Sequence, residues 1–534
     1  MPPLAQSLRP QRALRAAAIA ALLAAAAVAC RATALELSPS EQAGKRIFLT
    51  GESPSGAEIT VRIGREGSTL PGSAAPCGTC HGADGLGRPE GGVIPTEITW
   101  GALAKPYGHA HPGGRKHPAF DERSLGRTLR TGVDPAGNAL DPIMPRYEIS
   151  DADLASLVAY LKVVERDLDP GVEATALRVG VVLPDRGALA EVGAGMRKVL
   201  QARADALAAA GGVNGRKLEL VFAGYDSDAG DGRAEAERLV RSGRVFALLS
   251  GFVPGSEPAL EALAESEKVP LVGPFTLFAR QAEPVNSWVF FLQAGVREQA
   301  RLLAAHATRD LRVEPARIAI LHPAEPRATD AAVAAREQLG KGGAAALVET
   351  WSGPLPDAAL PARLARQGIQ AVLFLGGDAE LEAFARGADA AGFAPWLLAS
   401  GTLAARSASR APASVRGRVR LAYPSSPADE TPEAAAELAR LRSRLGLPER
   451  NRASQVAAVA AFEVLLEGLR RSGRHLSRER LVASLEALYD FPTGLLHPVT
   501  YGPNRRVGAL GGWIVAVDPA GGSFSPVGGW RVLE

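Results

Sequence analysis

The spacing of apolar positions changes once along this chain, near residue 170. Before that point the apolar residues recur at helical intervals. Ser38-Pro39-Ser40-Glu41 has the form of a helix start. Ser38 would be the N-cap, Pro39 would fill the first helical position, where its missing N–H does no harm, and Glu41 would close a capping box. The helix is predicted to run through Gly44, Ile47 and Phe48 and to stop near Gly51. A second start stands at Ser150, with Asp151 and Asp153 in the first turn, where the helix dipole favours acidic groups. Leu154, Leu157, Val158 and Leu161 follow at i, i+3, i+4 and i+7 and make one apolar stripe. Asp169-Pro170-Gly171-Val172-Glu173-Ala174-Thr175 then breaks the pattern and offers nothing to bury, which predicts a linker over 169–176.

Beyond the linker, short apolar runs alternate with long helical segments. Strands are predicted at 178–183, 218–222, 245–249, 270–272, 318–321, 346–349, 371–375, 396–399 and 513–517. A helix over 188–210 is ended by Gly211-Gly212, and Asn214-Gly215 makes a turn before the next strand. Two further helices are predicted at 453–470 and 478–488. Strand, helix, strand repeated in this way argues for parallel sheets wrapped by helices, and two such series point to two α/β lobes.

Within the first region stands Cys77-Gly78-Thr79-Cys80-His81. Two thiols two residues apart, followed at once by an imidazole, can form two thioether bonds to a haem and supply an axial iron ligand. A zinc site would need a second ligand pair, and Cys30 is the only other cysteine. A thioredoxin-type pair does not need His81, and it would start a helix after a strand, whereas Cys77 follows the turn-rich run Pro71 to Pro76. Of the three methionines, Met1, Met144 and Met196, only Met144 lies in this region. The stiff loop Asp141-Pro142-Ile143-Met144-Pro145-Arg146 could hold its soft thioether against iron. His109, His111 and His117 compete for that role; they are expected to be scattered histidines of a solvated Gly/Pro-rich loop over 101–118. With both axial positions filled, the chemistry expected is one-electron transfer and not catalysis at the metal.

At 534 residues the chain is too long for one ordinary domain, and length alone suggests three or four compact units. The formal net charge of +3, with no long basic run, leaves nucleic-acid binding without an electrostatic footprint. Arg9, Arg12 and Arg15 precede the apolar stretch 16–29 and then small residues, so residues 1–34 are expected to be an export signal to the periplasm. Cleavage after Ala32-Thr33-Ala34 would release a soluble protein. The alternative is lipidation of Cys30 after Ala27-Val28-Ala29. No P-loop, serine-nucleophile elbow or zinc-protease motif is present, so the expected roles are electron carrier and binding protein, not enzyme.

Gly44-Lys45-Arg46-Ile47-Phe48, the CxxCH at 77–81, Met144-Pro145 and Tyr160-Leu161 together resemble a class I cytochrome c over residues 38–168. The resemblance implies an all-α domain with crossing terminal helices, in which Gly44, Phe48 and Tyr160 are core residues. It also implies one covalent haem c on Cys77 and Cys80, with His81 and Met144 on the iron.

Gly211-Gly212-Val213-Asn214-Gly215, Asp226 and Asp228, the loop Ser250 to Ser256, and Val269 to Pro274 resemble the type I periplasmic binding proteins of branched-chain amino-acid ABC transporters, over residues 177–534. The resemblance implies two α/β lobes closing on a small ligand. In that family the two first-lobe loops hold a ligand carboxylate, which makes Ser250, Ser256 and Thr276 candidates, with Phe275 as an apolar wall. Ordinary loop capping is the other reading of each hydroxyl. The second lobe departs from the family: His322-Pro323 stands where amino-acid binders often carry Tyr-Gly, and His322 is expected to be a loop histidine. Asp378 is the acidic candidate for a ligand ammonium, or else a helix N-cap. The ligand expected is thus an amino acid, a carboxylate or another small organic molecule.

The combined expectation is an exported haem protein that pairs electron transfer with solute binding in a periplasmic oxidation or uptake pathway, with redox proteins as partners. The alternative is an ABC-transporter binding protein that docks on membrane subunits and carries the cytochrome as an accessory domain.

Overall fold

A computed structural model of the chain describes residues 37–64, 67–87, 92–111, 113–281, 284–340, 346–353, 359–520 and 523–533. The expected export segment, Cys30 included, lies outside them. The chain divides into two compact units, the first ending at Leu168 and the second beginning at Asp169.

In the first unit the Ser38 hydroxyl accepts the Glu41 N–H at 3.3 Å, and the Ser38 N–H donates to Glu41 Oε2 at 2.7 Å, which starts the helix Pro39–Thr50. Gly51 ends it in the left-handed region at φ 69°. Ser150 caps Asp151–Leu161 in the same manner, accepting the Asp153 N–H. The two helices meet at Gly44, where a Cβ would lie 2.0 Å from the Ser156 carbonyl oxygen. Phe48 and Tyr160 pack beside that contact with ring centroids 5.5 Å apart. Leu125 and Leu129 of the helix Glu122–Thr131 complete the core. To these helices the unit adds β1 (Thr60–Arg62), paired antiparallel with β2 (Thr69–Pro71) and β5 (Arg146–Glu148). A hairpin joins β3 (His109–Ala110) to β4 (Lys116–His117).

Residues 169–176, expected as a linker, belong to the second unit. Val172 is buried there, and Asp169 Oδ2 accepts the Arg478 N–H at 2.6 Å. The first lobe is a parallel sheet of β6 (Ala176–Arg186), β7 (Lys217–Asp226), β8 (Ala247–Leu249), β9 (Leu271–Val272), β10 (Val289–Gln293) and β16 (Val507–Ala509), in the order β16-β10-β9-β8-β6-β7. The second lobe comprises β11 (Ile318–Pro323), β12 (Leu347–Trp351), β13 (Ala371–Phe374), β14 (Trp396–Ser400), β15 (Val419–Tyr423), β17 (Gly511–Val517) and β18 (Phe524–Pro526). Their order is β12-β11-β13-β14-β15-β17-β18, parallel as far as β15 and antiparallel beyond it; β19 (Arg531–Val532) also pairs with β17.

Both sheets are covered on both faces, which is why their strands are continuous apolar runs. In β6, Val179, Val181 and Leu183 enter one core and Val182 the other; in β11, Ala319 and Leu321 oppose Ile318 and Ile320. The chain passes between lobes three times: from β10 to the helix Val296–Arg309, from β15 to the helix Pro432–Leu445, and through Leu510 between β16 and β17.

Candidate functional site

In the first unit Pro76 opens the short helix Cys77–His81, which carries the whole CxxCH motif. Its side chains line a cavity of about 570 Å³, walled also by Phe48, Leu157 and Leu161 of the terminal helices. That volume lies in the range of roughly 300–1,000 Å³ typical of sites for organic cofactors. Met144 lines the same cavity. Its loop is pinned from within: Asp141 accepts the Ile143 N–H at 2.9 Å through Oδ1 and the Met144 N–H at 3.1 Å through its carbonyl. The Arg146 guanidinium donates to the Met144 carbonyl.

The donor set fits a haem. Nδ1 of His81 lies 2.7 Å from the Thr96 carbonyl oxygen. A carbonyl can only accept, so Nδ1 carries the proton and Nε2 keeps its lone pair, the form in which imidazole ligates a metal. Burial lowers the His81 pKa and keeps the ring neutral. Cys80 is exposed, whereas burial pushes the Cys77 thiol up to about 11. The Tyr147 hydroxyl, donated to the Ala75 carbonyl at 2.7 Å, packs the segment that leads into the motif.

The three histidines expected to be scattered along a solvated loop form a cluster instead, with His109 and His111 half-buried. His117 is buried in β4, and the rings of His109, His111 and His117 lie 5.1–5.9 Å apart along the cavity wall. The hairpin brings them together, and it is anchored where Arg115 meets the fully buried Asp134 carboxylate at 2.9 Å.

In the second unit the candidate hydroxyls differ in what they bond to. Ser250 follows β8 with φ 49° and is fully buried, and its Oγ has no hydrogen-bond partner. Ser256 is buried beside Asp231 and helps to hold the pKa of that carboxyl down. Thr276 Oγ1 accepts the Phe278 N–H at 3.0 Å and donates to Glu257 Oε1 at 3.3 Å. Phe275 packs against Phe252 with centroids 5.1 Å apart, and its N–H reaches the Gly251 carbonyl at 2.9 Å, so the two first-lobe loops form one surface.

Asp378 is engaged within the second lobe: its Oδ1 accepts the Ser407 N–H at 2.8 Å, which ties together two second-lobe helices. His322 is the last but one residue of β11, buried, with both ring nitrogens bonded, to the Pro323 carbonyl at 2.9 Å and to Thr350 at 3.0 Å. Sequence reasoning missed Glu257 and Arg327. Glu257 begins the first-lobe helix Glu257–Ser266, Arg327 lies on the second-lobe helix Pro326–Gly340, and the two form an ion pair across the lobes.

A cavity-bearing helical unit followed by two lobes joined three times is the layout of a cytochrome fused to a two-lobed binding protein. The family model described as periplasmic binding protein matches residues 176–523, and that described as cytochrome c matches 65–165. The chain belongs to the periplasmic binding protein family and carries a cytochrome c domain ahead of the binding domain.

Among solved structures it is similar to a putative branched-chain amino acid ABC transporter protein from Rhodospirillum rubrum, at TM-score 0.54 and 21% identity over 66% of this chain and 100% of that one. A fatty acid ABC transporter substrate-binding protein from Thermomonospora curvata gives 0.52 and 16% over 69% and 95%. A leucine binding protein from Thermotoga maritima gives 0.50 and 19% over 66% and 97%. At these identities the likeness is one of fold. No curated protein matches the chain. The cytochrome c family binds haem c covalently, and both families are typically periplasmic. Among the described residues no helix is long and apolar enough to cross a membrane.

Proposed function

We propose that this protein is an exported, periplasmic electron carrier with a built-in solute receptor. One haem c would be held by thioethers from Cys77 and Cys80, with His81 and Met144 as axial ligands. When bound, the haem supplies one-electron transfer, at a potential raised by thioether ligation. The protein's own part is to fix the His81 tautomer through Thr96, to hold Met144 on a pinned loop, and to wall the site with apolar side chains. The observation that carries this reading is that all four residues line one cavity, with the His81 Nε2 lone pair left free by the Thr96 contact.

The second unit would bind a small organic solute on the first-lobe surface around Ser250, Ser256, Phe275 and Thr276, and the fusion would link solute occupancy to electron flow. The family match over residues 176–523 also favours a second reading, a transport receptor in which the cytochrome is accessory. Reduction by a periplasmic dehydrogenase separates the two: tight solute binding with no reduction selects transport.

Met144→Ala tests the haem assignment. The variant is expected to lose the low-spin, six-coordinate spectrum and to show a lower reduction potential while keeping its covalent haem. An unchanged spectrum would assign the distal position elsewhere and leave room for a haem enzyme.

A further inference from the structure

The first-lobe loops that hold a ligand carboxylate in the resembled family already hold a carboxylate here, and it belongs to the protein. Glu257 is only 8% exposed. Its Oε2 accepts the Gly255 N–H at 2.9 Å and its Oε1 accepts the Thr276 hydroxyl at 3.3 Å. Of the three candidate hydroxyls, then, that of Thr276 is already donated to Glu257. Glu261, one turn further along the same helix, is pushed up by burial and to a smaller extent by Glu257. A solute carboxylate entering this surface would face two protein carboxyl groups with the Thr276 donor spent, and like charges in a partly desolvated site repel strongly.

What fills the place opposite Glu257 is a cation. The Arg327 guanidinium reaches across from the second lobe, pairs with Glu257 Oε2, and lies 4.1 Å from the centroid of the Phe278 ring. A buried carboxylate next to an aromatic face is the recognition set for an organic cation, which gains a charge-assisted hydrogen bond on one side and the ring quadrupole on the other. Arg327 is the more exposed partner of the pair, with 34% of its side chain accessible against 10% for Glu257, so it can swing out while the carboxylate stays. The fully buried, unpartnered Ser250 hydroxyl, on the loop bonded to Phe275, remains as a polar contact for the rest of a ligand.

We propose that this cleft selects an organic cation, a primary ammonium or guanidinium, which replaces Arg327 on Glu257 and Phe278, and that Glu257 excludes carboxylates. The proposal rests on the reading of the second unit as a solute receptor. Isothermal titration of the full haem-loaded chain with butylammonium, methylguanidinium and butyrate tests it.

The cations are expected to bind the wild type and to bind Arg327→Gln at least tenfold more tightly, because the internal competitor is gone. They should bind Glu257→Gln at least tenfold more weakly, while butyrate should bind that variant alone. Glu257→Gln preserves the size of the side chain, and an unchanged thermal transition of the second unit certifies its fold. Butyrate binding to the wild type, or cation affinity indifferent to Glu257, overturns the proposal. A neutral alcohol that binds while both cations fail would overturn it and leave the receptor reading standing. No binding by any alcohol, amino acid, carboxylate or amine would remove both.

Discussion

Protons in the histidine hairpin are placed by the acceptors around them. Nδ1 of His117 lies 2.8 Å from the Pro118 carbonyl and so carries a proton, which leaves its Nε2 to accept from His111 Nε2 at 2.9 Å. That contact keeps the His117 ring neutral, because an imidazole protonated on both nitrogens has no lone pair with which to accept. Burial, reinforced by the Arg115 charge, pulls the His111 pKa down to about 4, against about 6.5 for an unperturbed ring. Between those values the unfolded chain binds a proton that the folded one refuses, so stability falls as pH drops from about 6.5 towards 4. After allowance for the partial exposure of the ring, the loss at pH 5 is about 1 kcal/mol. His111→Gln should remove that much of the acid sensitivity of the first unit. Urea midpoints of the haem-loaded protein at pH 5 and pH 7.5 measure it, and equal pH slopes for variant and wild type would refute this account of the hairpin.

The helix pair Pro39–Thr50 and Asp151–Leu161 depends on one missing methyl group. A Cβ on Gly44 would lie 2.0 Å from the Ser156 carbonyl oxygen and 2.7 Å from the Tyr160 Cβ, and the nearer of these is backbone that a rotamer change cannot move. Gly44→Ala should therefore force the helices apart at a cost of about 3 kcal/mol, towards the upper end for overpacking. Chemical denaturation of the haem-loaded protein would show it, and a change below about 0.5 kcal/mol, the ordinary surface level, would mean that the contact is looser than described. Both helices were legible in the sequence because their caps are local: Ser38 with Glu41, and Ser150 with Asp153, lie three residues apart. The nine predicted strands each appear for a similar reason, since a two-faced sheet writes itself as apolar runs. In the second unit the strands β10, β15, β16, β18 and β19 were not foreseen; β15 carries Arg420 in mid-strand, and β16 has a glycine at its centre. The histidine hairpin has strands of two residues, too short for any periodicity. At the sites, CxxCH and Met144 were visible as residue types. The Thr96 contact uses a backbone carbonyl, which any residue supplies, and Glu257 meets Arg327 across 70 residues of sequence. Contacts of those kinds leave no local signal.

Each unit buries its own core, Phe48 to Val164 in the first and four clusters in the second, so heating should melt them separately. Arg478 offers a way to mark one transition. Its side chain is 9% exposed and donates to the carbonyls of Phe246 and Val245 at 3.0 Å and of Glu267 at 3.2 Å, fastening the returning helix Arg478–Glu486 to the strand edge of the first lobe. Arg478→Met keeps the apolar stem but leaves those carbonyls unpaired, a loss of about 3 kcal/mol or more. Calorimetry of the haem-loaded chain should show two transitions, with the variant lowering only the one that belongs to the second unit. A solute at a hundred times its Kd should raise that same transition by the equivalent of about 2.7 kcal/mol. If occupancy and electron flow are linked, the solute should move the haem reduction potential or the rate of electron transfer to a redox partner. A solute that stabilises the second unit while leaving both the potential and the partner electron-transfer rate unchanged would make the fusion a tether and not a coupled device. A single transition that Arg478→Met shifts as a whole would show that the two cores unfold as one.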